Sequence, residues 1–328
     1  MKFKAFRTFE QEKKFVNRIA EMETPPLEEG KVLIKVAYSS LNYKDALSSA
    51  GNKGVTRNYP HTPGIDASGE IIESKSSRLN AGDKVLVTGY DLGMNTDGGF
   101  GEIICVPDSW VVNLPKDLSL KGAMCYGTAG FTAALCVYDI ARKLDVDRGK
   151  ILVTGSGGGV GSFAVKFLAK LGYEVIALSR GTGNIDFLKS IGASDVMTFE
   201  EFESIPDRPL GKPQWAGAVD TLGGGTLGKV LSLTEYGGVV TCCGNVLGGD
   251  LNTTVYPFIL RGISLVGIDS ANVSAAFREK IWQLMTYDYR PDNNILEEGI
   301  SEISMDELDE NLKRMLSGES RGRKILKY

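Results

Sequence analysis

The spacing of apolar positions changes twice along the chain. In residues 31–39, Val32, Ile34, Val36 and Tyr38 alternate onto one face, which predicts a strand. The runs at 69–74, 84–90 and 101–107 are short, apolar and flanked by Gly, Pro, Asn or Asp, so they read as further strands. Residues 1–122 therefore predict a twisted, mostly antiparallel β unit with little helix. Ile151, Leu152 and Val153 then form a continuous apolar run of the kind buried on both faces of a parallel sheet. Val160, Phe163, Ala164, Phe167, Leu168 and Leu171 follow at helical spacing, with Lys166 and Lys170 off that face and Gly172 as the stop. Strand runs at 174–179, 196–199, 216–223, 237–244 and 263–269, with a helix at 185–192, complete a βαβ rhythm and a doubly wound parallel sheet. In the tail, Ser304 and Glu307 make a capping box before the stripe Met305, Leu308, Leu312, Met315 and Leu316. Gly318 stops that helix, and residues 322–328 read as a closing strand.

Composition narrows the function classes. Of 328 residues, 42% are hydrophobic and 24% charged, enough apolar surface for a core. Lys+Arg (37) minus Asp+Glu (41) gives −4, so no basic field favours nucleic acid or an anionic membrane. The longest uncharged stretch, 122–138, falls short of the roughly 20 apolar residues of a membrane helix. With no apolar signal core after Met1, a cytoplasmic location is expected. The five cysteines lack metal or disulfide spacing. Cys105, Cys242 and Cys243, inside apolar runs, are expected in the core. One histidine, His61, removes most zinc and imidazole schemes; after Pro60 it reads as a surface or turn residue. Arg321, Arg323, Lys324 and Lys327 read as a solvated strand face.

The chemistry gathers where a buried strand meets a glycine loop that opens a helix. Such a loop brings backbone N–H groups and a helix N-terminus to a pyrophosphate. The spacing here is Gly155, Gly158, Gly161, with Gly157 and Gly159 extra, rather than the usual G-x-G-x-x-G. About 20 residues on, where an acid holds the ribose hydroxyls of NAD, the strand ends Ser179-Arg180-Gly181. A carboxylate repels a 2′-phosphate, whereas Arg180 and the Ser179 hydroxyl bind one, so NADPH is expected over NADH.

The whole chain resembles the medium-chain dehydrogenase/reductase superfamily. Its marks are TPGIDASG (62–69), GDKV (82–85), GGFGE (98–102), GTAGFTA (127–133) and the glycine loop. SSLNYKDAL (39–47), YGGVVTCCG (236–244) and PFILRGISLVGIDS (257–270) are similar to the zinc-free quinone oxidoreductase branch of YhdH/YhfP type, which includes acryloyl-CoA reductases. The resemblance implies an α/β fold: a GroES-like, mostly antiparallel β domain from 1–122 and 270–328, and a Rossmann NADP(H)-binding domain from 123–269. It implies a cofactor set of Tyr43, Thr128, Ser156, Gly157, Gly158, Gly159, Val160, Gly161, Ser179, Arg180, Gly181, Leu222 and Asn245. Asp220 reads as structural or cofactor-proximal. Where zinc alcohol dehydrogenases carry Cys and Gly-His-Glu, this chain has Asn42 and Gly64-Ile65-Asp66, so no metal is expected.

The resemblance then implies NADPH-dependent conjugate reduction of a short α,β-unsaturated acyl-CoA, acryloyl-CoA to propanoyl-CoA. Tyr43 is the expected donor to the developing enolate, on a loop after a strand, with Asn42, Lys44 and Asp45 orienting it. A broader quinone or enone oxidoreductase is the alternative enzyme; an NADPH-binding structural or RNA-binding protein is the alternative of another class. The partner is a small acyl-CoA or quinone, with no nucleic acid and no membrane. An apolar edge strand at 263–269 predicts a homodimer.

Overall fold

The computed structural model describes residues 1–12 and 14–328, which divide into two compact units. The first comprises Met1–Thr128, Ala271–Trp282 and Ile300–Tyr328; the second comprises Ala129–Ser270 and Gln283–Gly299. The tail is thus shared between the units rather than returned whole to the first.

The first unit opens with a hairpin, β1 (Lys2–Gln11) and β2 (Lys14–Glu23), paired antiparallel. Next come β3 (Lys31–Ser40), the short helix α1 (Tyr43–Ser49), β4 (Asp66–Ser74), β5 (Lys84–Thr88), β6 (Ile103–Pro107) and β7 (Val112–Asn113). β3 is the organising strand, pairing antiparallel with β4 and with β6. Its alternation buries Val32, Ile34 and Val36 against Ile71, Val85, Val87 and Ile104, so the expected inward face is the core face. His61 is 3% exposed and bridges Thr8, so it is an interior residue and not a surface one. Burial pulls its imidazole below the usual range.

Helix α2 (Leu120–Ala141) runs from the first unit into the second and breaks helical geometry at Gly127. The second unit carries β8 (Ile151–Val153), α3 (Gly159–Lys170), β9 (Val175–Ser179), α4 (Ile185–Ser190), β10 (Asp195–Thr198), α5 (Phe199–Ser204), β11 (Trp215–Asp220), α6 (Gly224–Ser232), β12 (Thr234–Cys242), α7 (Tyr256–Arg261) and β13 (Ser264–Gly267). The strands form one parallel sheet in the order β10-β9-β8-β11-β12-β13. β8, β9 and β11 are buried throughout, which is why they read as continuous apolar runs. Lys166 corrects the periodic reading of α3. It is 2% exposed, and its ammonium donates to the Leu296 and Glu298 carbonyls at 2.9 and 2.8 Å. Cys105, Cys242 and Cys243 are only half-buried; the buried thiols are Cys125 and Cys136 on α2.

The chain closes with α8 (Ala275–Thr286), α9 (Asn293–Glu297), β14 (Ile300–Ile303), α10 (Leu308–Leu316) and β15 (Arg323–Lys327). β15 pairs antiparallel with the end of β3, returning the tail to the first sheet. The Ser304–Glu307 capping box forms, with Glu307 accepting from the Ser304 backbone at 2.8 Å. Gly318 takes φ +73 after α10, the left-handed stop its position predicted. No helix among the described residues is long and apolar enough to cross a membrane.

Candidate functional site

In the first unit, the polar residues expected from the sequence converge on one carboxylate. Asp66 opens β4 and is fully buried. Its Oδ2 accepts from Ser40 Oγ at 2.6 Å, Asn42 Nδ2 at 2.8 Å and the Thr128 backbone N–H at 2.9 Å. Its Oδ1 accepts from Thr128 Oγ1 at 2.6 Å. A buried carboxylate needs such donors, because an unsolvated charge without them is very costly. The balancing cation is Arg323, whose Nη2 lies 3.6 Å from Asp66 Oδ2. Arg323 also donates to Ser40 Oγ at 2.6 Å, to the Leu41 carbonyl at 2.8 Å and to Asn42 Oδ1 at 3.0 Å. The solvated strand face expected for this arginine is therefore wrong: its side chain is 3% exposed. Burial pulls the guanidinium down from its usual range, and the Asp66 charge pushes it back.

Gly127 makes this convergence possible. It turns at φ +51 and ψ −157 inside α2, a conformation open to glycine. A Cβ there would stand 2.5 Å from Arg323 Nη2, Asp66 Oδ2 and Ser40 Oγ alike. The kink also delivers Thr128 to Asp66 with its hydroxyl hydrogen committed.

Asn42 and Tyr43 emerge from this cluster with different duties. Tyr43 is the first residue of α1, not a loop residue, and Asn42 is the N-cap. The Asn42 amide donates to the Ser40 carbonyl at 3.2 Å and to Asp66, so both hydrogens are spent inside the protein. Asn42 thereby fixes the start of the helix and has no donor left for a ligand. Tyr43 is 37% exposed, and its hydroxyl has no hydrogen-bond partner among the described residues.

Asp45 locks the same helix start from below. It is buried and accepts from the backbone N–H groups of Asn42 at 2.8 Å, Gly64 at 3.0 Å and Ile65 at 2.9 Å. Burial first, and the Asp66 charge second, push its carboxyl up to about 7, with the three N–H groups opposing. A carboxyl raised on folding stabilises most when protonated. Its contribution is present below the unfolded value near 4 and is lost as pH rises through about 7. Thermal midpoints followed from pH 4 to 8 are expected to show that decline in the parent and not in Asp45→Asn. Parallel profiles would contradict it.

Zinc does not fit this place. Among the described residues no three His, Cys, Asp or Glu side chains converge. Asn42 and Ile65 stand where the resemblance would put ligands, and both Asp66 oxygens are already engaged.

In the second unit, β8 feeds the glycine loop and α3. Gly155 takes φ +56, and its carbonyl accepts from the Gly158 N–H at 3.0 Å. A Cβ on Gly161 would stand 2.3 Å from the Gly155 carbonyl oxygen, so glycine there lets helix and strand close together. The first-turn N–H groups of α3, around Gly159, Val160 and Gly161, have no partner within the helix, which suits an anionic ligand. Ser156 is buried and donates to the Leu178 carbonyl at 2.8 Å, tying the loop to β9. Ser179, at the end of β9, donates to the Gly181 carbonyl at 2.7 Å, while Arg180 and Gly181 are exposed. Leu222 and Asn245 come together in facing turns: the Leu222 carbonyl accepts from the Leu247 N–H, and Asn245 Cα lies 3.1 Å from where a Gly223 Cβ would be. Asp220 is buried and accepts from Thr154 Oγ1 at 2.8 Å and from the Gly223 N–H at 2.8 Å, bracing the base of the loop. Burial pushes its carboxyl up.

Sequence reasoning did not assign Ser40, Asp66 or Arg323 to the site. Asp66 lies in the TPGIDASG run at 62–69, and Arg323 shares a strand face with the fully buried Ile325, which was the available signal.

Comparison with known proteins agrees along the chain. Residues 28–116 match the alcohol dehydrogenase GroES-like domain, and residues 159–286 match the zinc-binding dehydrogenase family. The acrylyl-CoA reductase AcuI of Ruegeria pomeroyi is 38% identical, covering 94% of this chain and 93% of its own. The yhdH oxidoreductase of Salmonella enterica, solved in complex with NADP, superposes with a TM-score of 0.95 at 39% identity over 99% of both chains. Bacillus subtilis yhfP, solved with NAD bound, gives 0.94 at 42% identity over 100% of both.

Proposed function

The chain belongs to the medium-chain dehydrogenase/reductase family and is an NADPH-dependent oxidoreductase; on that premise we propose that it reduces the activated C=C bond of a short α,β-unsaturated acyl-CoA, acryloyl-CoA to propanoyl-CoA, without a metal. The observation that carries this reading is the 38% identity to an acrylyl-CoA reductase over 94% of the chain. NADPH supplies a hydride when bound. Conjugate reduction places that hydride on the β carbon and negative charge on the thioester oxygen. Tyr43 supports the reaction as the group with a free, exposed hydroxyl on a fixed helix start. It donates a hydrogen bond to the thioester oxygen as charge develops there. The Asp66–Arg323 pair, Asn42 and Asp45 hold that start in place. Water then protonates the α carbon, completing the addition of hydride and proton across the bond.

Steady-state assays with acryloyl-CoA and with a simple quinone, both with NADPH, test the substrate. A higher kcat/KM for acryloyl-CoA is expected; preference for the quinone makes this a broader quinone reductase.

The 2′-phosphate grip is assigned to Arg180, supported by the missing acid at the end of β9; the Ser179 hydroxyl, committed to the Gly181 carbonyl at 2.7 Å, shapes the turn that carries it. Arg180→Ala is expected to weaken NADPH binding at least tenfold, since a charge-assisted contact contributes about 1.5–3 kcal/mol. NADH binding should hardly change, and equal losses with both would remove Arg180 from that role.

The protein is further proposed to act as a cytoplasmic homodimer built on β13. That strand is the sheet edge, and α7, which precedes it in the chain and packs on the neighbouring β12, exposes Tyr256, Ile259 and Leu260. A second copy pairing edge to edge would cover both the unpaired backbone and the apolar face. Sedimentation at micromolar concentration is expected to give twice the chain mass; monomer alone overturns the proposal.

A further inference from the structure

Asn184 ends the 3₁₀ turn Thr182–Asn184 and immediately precedes α4, with φ −110 and ψ 2 rather than the extended backbone of a capping residue. Its side chain accordingly makes no cap hydrogen bond. The half-buried side chain turns instead over the glycine loop. Its Nδ2 lies 3.1 Å, and its Cγ 3.7 Å, from where a Cβ on Gly157 would stand. The amide has no hydrogen-bond partner among the described residues, so both its hydrogens remain available beside the loop.

The surroundings say what those hydrogens meet. The glycine loop opens α3, whose unpaired first-turn N–H groups suit the pyrophosphate of a dinucleotide. The end of β9 at Ser179 is where such a fold would hold the adenosine ribose and any 2′-phosphate. The 3₁₀ turn Thr182–Asn184 joins that end of β9 to α4 and brings the Asn184 amide to Gly157. A glycine at 157 leaves the amide's approach to the loop unobstructed.

We infer that Asn184 is a dinucleotide-binding residue that donates from its amide to a phosphate oxygen of the cofactor. This rests on the cofactor assignment and is independent of the acyl substrate.

Binding followed by fluorescence separates the possibilities. NADPH and NADH share the pyrophosphate, and only NADPH carries the 2′-phosphate. Asn184→Ala is expected to weaken NADPH binding about tenfold. An equal loss with NADH places the contact on the pyrophosphate, and a loss with NADPH alone places it on the 2′-phosphate; either supports the inference. Asn184→Asp is the control for folding. Aspartate keeps the shape of asparagine and its charge suits a helix start, but it repels phosphate. Its NADPH affinity should fall further than that of the alanine variant while its thermal midpoint holds or rises. Unchanged affinity for both cofactors in either variant overturns the inference. Should the parent bind neither cofactor, the cofactor assignment itself fails, which is a distinct result.

Discussion

Replacing Arg323 by methionine is expected to destabilise the protein by about 3–5 kcal/mol, the usual cost of removing one partner of a buried ion pair. Asp66 is fully buried and Arg323 is 3% exposed, so water cannot take over the lost interaction. Methionine fills much of the volume but supplies none of the donors to Ser40, to the Leu41 carbonyl or to Asn42. The Leu41 carbonyl and Asn42 Oδ1 would lose those partners, and the Asp66 charge would keep only its neutral donors. Asp66→Asn is expected to be damaging as well, since it strands the guanidinium. The double variant Arg323→Met/Asp66→Asn should be more stable than the sum of the two losses predicts, because it buries no unpaired charge. Urea unfolding of all four proteins gives the coupling directly. A loss below about 1 kcal/mol for Arg323→Met would mean that the pair contributes little and that hydroxyl and amide donors alone sustain Asp66.

This pair also marks the limit of what the sequence disclosed. The glycine loop was legible because its meaning is local: a β-branched run, glycines at fixed offsets and a helical stripe sit within some 20 residues. The alternation of β3 was legible for the same reason. Arg323 was not, because its partners Ser40 and Asp66 are brought to it by strand pairing across the chain; Ser40 lies 283 residues away. In a basic tail, burial of one arginine leaves no local trace beyond the strand alternation it shares with Ile325. Lys166 escaped for a related reason. The helical period placed it off the apolar stripe, but the carbonyls of Leu296 and Glu298 cover that side too. Helix α1 escaped because seven residues with five polar side chains show no period, and its start depends on Asp45 reaching backbone N–H groups of the Gly64-Ile65 segment.

Tyr43→Phe is expected to lower turnover with acryloyl-CoA by about 10- to 1000-fold, the range found when one oxyanion donor or general acid is lost. The argument turns on which groups still have a proton to give. Asn42 has spent both amide hydrogens, and Thr128 has committed its hydroxyl to Asp66. Tyr43 alone of the three expected polar side chains keeps a free donor. Its bond strengthens as the thioester oxygen gains charge, so its loss falls on kcat more than on KM. NADPH affinity, measured by fluorescence, should change little, because the phosphate contacts belong to Gly157–Gly161 in the second unit. A purely packing role predicts the reverse ordering. Phenylalanine keeps the ring, so turnover would survive in Tyr43→Phe and fail only in Tyr43→Ala. The two variants therefore separate the roles without requiring a structure of either. Near-parent turnover in the phenylalanine variant would leave solvent as the only source of the stabilising hydrogen bond, with the Asp66–Arg323 cluster acting only to hold α1 in place.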